Sequence, residues 1–71
     1  MKKLSRFEIT HQIAQSLHMF GVLNASEILQ KLRLRDIDVK PAEIHDILGG
    51  DQKYLDLHGI HRSDVVGYWK V

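Results

Sequence analysis

The side chains with the widest chemical reach in this 71-residue chain are one lysine at a helix start, six further basic residues and five histidines. Lys40 lies in Val39-Lys40-Pro41-Ala42-Glu43-Ile44, where proline at a first helical position marks a helix start. A lysine offers no acceptor to the orphan N–H groups of the first turn. Those groups, the positive end of the helix dipole and the ammonium would together seat a phosphate. The plainer alternative is that Asp38 or water satisfies the N–H groups and Lys40 points into solvent. Lys2, Lys3, Arg6, Lys31, Arg33 and Arg35 could likewise face a polyanion backbone. Their plainer role is a solvated surface, with Lys31 and Arg33 compensating a helix dipole.

The histidines invite a metal reading. His58 and His61 stand at i, i+3, while His11 and His18 lie two turns apart, about 10 Å by helical rise. A zinc site needs three or four converging ligands, no cysteine is available and no known spacing is matched, so neither metal nor cofactor is expected. Catalysis has even less to work with. No Ser-His-Asp or Cys-His set can be assembled, and a chain this short leaves little room for a pocket. Gly49-Gly50 reads as a helix stop and not as a phosphate cradle. The chain is not expected to be an enzyme.

The elements that must position these residues announce themselves in a threefold pattern. Leu4-Ser5-Arg6-Phe7-Glu8-Ile9, Leu23-Asn24-Ala25-Ser26-Glu27-Ile28 and the Lys40 segment each read apolar, cap position, two residues, Glu, Ile. Ser or Asn at the cap accepts a bond from the first turn, and the Glu reaches back to the cap's own N–H. The first helix is expected over about Arg6 to Met19, burying Ile9, Ile13, Leu17 and Phe20, with Gly21 just past its end. The second runs from about Ala25 to Arg33, burying Ile28, Leu29 and Leu32. Leu34, Ile37 and Val39 should pin the connection to the core, and a third helix covers Pro41 to Leu48 with Ile44, Ile47 and Leu48 inward. After Asp51-Gln52 the period changes to two, so Tyr54 to Ile60 reads as a strand and Val65 to Val71 as its partner. His61-Arg62-Ser63-Asp64 would be the hairpin tip. For Leu55, Leu57 and Trp69 to share the core face, paired residues must have numbers summing to an even value.

One small domain over residues 1–71 is expected, cysteine-free, too apolar at 44% hydrophobic residues to be disordered, and soluble and cytoplasmic. No apolar run approaches the ~20 residues of a membrane span. Net charge is +1, but residues 1–35 carry +4 and residues 36–71 carry −3. The first half permits nucleic-acid binding and the second argues against it.

Three helices followed by a C-terminal two-stranded hairpin, an α+β arrangement, resemble the winged helix-turn-helix superfamily over essentially the whole chain. Within it the size is similar to small one-domain regulators of bacterial or phage type. The resemblance implies a DNA-binding protein, a small transcription regulator, whose third helix enters the major groove while the wing touches the backbone or minor groove. Mapped onto those roles are Lys40, Ala42, Glu43, His45 and Asp46 on the helix and His61, Arg62 and Ser63 on the wing. Glu43 and Asp46 put negative charge where such readers favour Arg, Lys, Asn or Gln, and would repel phosphate. An alternative is a winged-helix protein–protein interaction module without nucleic-acid binding. For that reading Tyr54, Val66 and Tyr68 on the outer hairpin face would form an apolar strip for a partner protein or a second copy, unless they pack laterally against the first helix beside Phe7.

Overall fold

The computed structural model describes residues 2–71. In chain order the elements are β1 (Lys2–Lys3), α1 (Arg6–Phe20), β2 (Leu23–Asn24), α2 (Ala25–Leu34), β3 (Ile37–Asp38), α3 (Pro41–Leu48), α4 (Gln52–Leu57), β4 (His61–Arg62) and β5 (Tyr68–Lys70). The result is an α+β fold of four helices and a three-stranded antiparallel sheet in the order β2-β5-β4, while β1 pairs in parallel with β3. No helix of the described residues is long and apolar enough to cross a membrane.

The first two helix starts form as their residue types dictate. Ser5 Oγ accepts from the Glu8 N–H at 3.2 Å and Glu8 Oε1 accepts from the Ser5 N–H at 3.2 Å. Asn24 and Glu27 repeat the exchange at 2.8 and 3.0 Å. Asn24 also sits in β2 opposite Tyr68, so one residue both caps α2 and joins the sheet. The core gathers Ile9, Ile13 and Leu17 from α1, Ile28 and Leu32 from α2, and Ile44, Ile47 and Leu48 from α3. Leu23, Ile37, Val39, Leu55, Ile60 and Trp69 close it. Each such side chain contributes about 1.5–3 kcal/mol relative to exposure. α2 packs against both α1 and α3 and thereby sets the placement of α3.

The segment expected as a first hairpin strand is instead largely helix. Asp51 Oδ1 caps α4 by accepting from the Lys53 N–H at 3.0 Å. At its other end the Ile60 N–H reaches the Leu55 carbonyl and the Gly59 N–H that of Asp56, both at 3.0 Å. That bond pair is a Schellman stop, which needs the left-handed Gly59 (φ 75°) and brings Leu55 and Ile60 together in the core. The alternation of Leu55 and Leu57 was therefore not a strand period. Leu57 is exposed on α4, and the requirement for an even-sum register goes with it. The observed pairs are His61 with Lys70 and Arg62 with Trp69.

Smaller differences follow the same logic. Phe20 is the last residue of α1 and is exposed, with Lys31 Nζ 4.3 Å from its ring centroid. Ile37 and Val39 are buried as expected but Leu34 is exposed, because Asp36 turns the chain through a left-handed conformation (φ 60°) after it. Val65 and Val66 belong to the turn before β5 and not to the strand. Tyr54 moves from the hairpin to α4, half-buried with its hydroxyl 3.3 Å from Thr10 Oγ1, so Tyr54, Val66 and Tyr68 do not line one hairpin face.

Candidate nucleic-acid interface

On α3, Ile44, Ile47 and Leu48 point inward, leaving Ala42, His45, Asp46 and Gly49 as an exposed stripe of mostly small groups. Lys40 is the extended residue before the first turn (φ −102°, ψ 153°) and makes no side-chain cap bond. Only half of a capping box exists here. Glu43 Oε1 accepts from the Lys40 N–H at 3.1 Å, while the Glu43 N–H turns to the Lys40 carbonyl at 3.0 Å. Glu43 is thus half-buried and committed to the helix start, not extended toward a ligand. Asp46 lies beside Arg6, whose Nη2 donates to the Asp46 carbonyl at 3.3 Å. A cleft of about 100 Å³ between them is lined by Arg6, Ile9, Glu43, Asp46 and Ile47.

The basic residues divide into engaged and free. Arg6 also lies 6.0 Å from the Tyr54 ring centroid. Arg35 donates to Gln12 Oε1 at 2.7 Å and to Met19 Sδ at 3.0 Å, and Lys31 covers Phe20. Arg33 Nη2 donates to the Val39 carbonyl at 3.4 Å. Lys2, Lys3 and Lys40 are exposed, and their ammonium groups donate no hydrogen bond among the described residues. The β1–β3 pairing sets Lys2 opposite Ile37 and Lys3 opposite Asp38, on the strand that leads into Lys40. With Arg33 on the Val39 carbonyl, four basic residues border the approach to α3, together with Asp36 and Asp38 of the same segment. Glu8 at the start of α1 has its carboxyl held below the ordinary range. The backbone N–H of Ser5 is the main cause, its hydroxyl the next, and the charge of Lys2 adds to both.

The wing residues fall differently from their expected place. His61 and Arg62 form β4 and are not the tip, which is instead Asp64 to Gly67. Arg62 and Trp69 are directly paired, and the guanidinium lies 4.6 Å from the Trp69 ring centroid. His61 Nδ1 is 3.4 Å from Asp56 Oδ1. Ser63 braces the turn, its Oγ donating to the Val65 carbonyl at 3.0 Å and accepting from the Val65 N–H at 3.1 Å. The tip itself carries no basic residue, and Val66 is 96% exposed. The structure therefore places Lys2 and Lys3 on the strand beside the one that leads into Lys40, with Asp38 opposite Lys3, and gives Arg62 a packing partner in Trp69.

Among the described residues no group of three or more His, Asp or Glu is placed to hold a metal ion. A second surface went unnoticed in the sequence: a groove of about 610 Å³ between the outer side of α1, the end of α4 and Val71. His11, Ala14, Gln15 and His18 at helical spacing were its visible signal, but its other wall is the helix that the alternation of Leu55 and Leu57 concealed. No family model matches this chain, and neither curated proteins nor solved structures provide a match.

Proposed function

We propose that this chain is a winged helix-turn-helix DNA-binding protein of the small transcription-regulator kind, acting through contacts alone and without catalysis. The observation that carries the reading is the placement of Lys3, Arg33 and Lys40 along the approach to α3, where they outnumber the neighbouring Asp38. The strand order β2-β5-β4 supports the winged form, because the strand between the first two helices pairs with the last strand of the hairpin and closes the core behind α3. Glu43 is turned to the helix start, while the Asp46 side chain stays on the exposed stripe with Arg6 bonded to its backbone carbonyl. The face offered to a duplex is then Lys40, Ala42 and His45 with Lys3: the lysines for phosphate, His45 for a base edge or phosphate.

A protein–protein interaction module is the second reading, favoured by the turn Asp64-Val65-Val66-Gly67, which is apolar and acidic where a duplex would select for cations. Titration of a fluorescent random-sequence duplex separates the two. With Lys3 and Lys40 as phosphate contacts, affinity should fall roughly 12-fold between ~50 and ~200 mM salt, and only about 3.5-fold for Lys40→Ala. Absence of binding at ~50 mM salt would overturn the DNA reading.

A further inference from the structure

We propose that the groove beside α1 is a homodimer interface, in which two copies of this chain pair their first helices antiparallel. The core side of α1 is Ile9, Thr10, Ile13, Ser16 and Leu17. On its outer side His11, Ala14, Gln15 and His18 line the groove, with Leu57 and Val71 along the other wall. Phe7 extends the patch, since its ring stacks edge-on against His58, a groove residue, at 4.9 Å.

The lining carries no fixed charge, with Arg35, whose Nη2 lies 3.0 Å from Met19 Sδ, standing at one end, and such a surface suits a second copy. None of the groove residues is Lys, Arg, Asp or Glu, although those types make up 27% of the chain. A two-fold interface meets itself, so any formal charge near its axis would face its own kind. A surface for a differently charged partner carries no such restriction. The spacing fits the symmetry as well. A two-fold axis crossing α1 between Ala14 and Gln15 sets Ala14 of one copy against Gln15 of the other, and His11 against His18. Leu57 and Val71 of both copies then fall on the same flank. Ala14, the small residue at the crossing, permits the close end of the 8–10 Å helix separation usual in packed pairs.

The area also suffices. Phe7, Met19, Leu57 and Val71 are 62, 65, 83 and 47% exposed. At roughly 150–200 Å² per fully exposed large residue these four supply at most about 400–500 Å². A standard interface buries ~800 Å² per partner, a little over half of it apolar, which is the same amount.

Sedimentation equilibrium of the full chain without nucleic acid, from ~5 to ~500 µM, tests the proposal independently of the DNA reading. The expected result is a reversible monomer–dimer equilibrium. Leu57→Glu, a change at an exposed position, should raise its dissociation constant at least ~100-fold at unchanged circular dichroism, because the dimer would then hold two uncompensated carboxylates. The chain has no cysteine, so Gln15→Cys should cross-link to a disulfide dimer on mild oxidation, whereas Gln30→Cys on α2 should not. A monomer throughout the range would overturn the proposal. So would a dimer indifferent to Leu57→Glu, or one cross-linked through position 30 and not 15.

Discussion

Lys40→Ser separates what this residue does for the fold from what it does for a ligand. Position 40 has the extended backbone of a helix cap and already receives the reach-back of Glu43, yet its side chain accepts nothing. A serine there would complete the box that Ser5 and Asn24 build at the other two starts. Caps of this kind are worth about 1 kcal/mol, within a range of roughly 0.5–2. For 71 residues the unfolding entropy is about 0.15 kcal/mol/K, so the melting temperature should rise by about 7 °C. The same substitution removes one of the cations at the approach to α3, and the salt dependence of duplex binding should lose about 0.9 of its log–log slope. Thermal unfolding followed by circular dichroism and duplex titration on the same preparation read both effects. A melting temperature unchanged or lowered would refute the claim that the cap is vacant, whatever happens to binding. A raised melting temperature with an unaltered salt slope would leave the cap argument standing and remove Lys40 from the interface.

Ile28→Ala should cost about 2–5 kcal/mol, since Ile28 is fully buried on the helix that packs against both α1 and α3. Urea unfolding would show the free energy of unfolding falling by a large part of the ~4–10 kcal/mol expected for a chain of this size, and a loss below about 1 kcal/mol would contradict the assigned core. Gly59→Ala, at φ 75° in the stop of α4, should destabilise by about 1 kcal/mol; a neutral result in the same assay would argue against the Schellman geometry. Because the Glu8 carboxyl is held low in the folded chain, its contribution is present above its unfolded pKa and is lost as pH falls through the folded value. Stability should therefore decline on acidification, and Glu8→Gln should flatten that part of the pH profile; an identical profile in the variant would show that the Ser5 bonds do not persist in solution.

Local chemistry was legible wherever a few neighbouring residues settle the outcome. The starts at Ser5 and Asn24, the span of α3 and the stop at Gly21 depend on caps, one proline and one glycine, all within one helical turn. Fourteen core residues were largely visible as apolar stripes, and the proline at position 41 placed the third helix without any tertiary contact. Where the sequence misled, two local patterns competed. Leu55 and Leu57 alternate like a strand, but Asp51 as a cap and Gly59 as a stop bracket a short helix, and burying Leu55 against Ile60 decides for the helix. What no window of sequence contains is long-range pairing. The β1–β3 ladder carries Lys2 and Lys3 to the approach to Lys40, and the packing of Arg62 on Trp69 takes that guanidinium off a wing tip. The uncharged groove exists only because α4 and Val71 come to lie beside α1. Helix starts and stops are short-range hydrogen-bonding choices made by residue type. Which cations share a face is instead fixed by how the elements bury their apolar sides against one another, and that is a property of the whole chain.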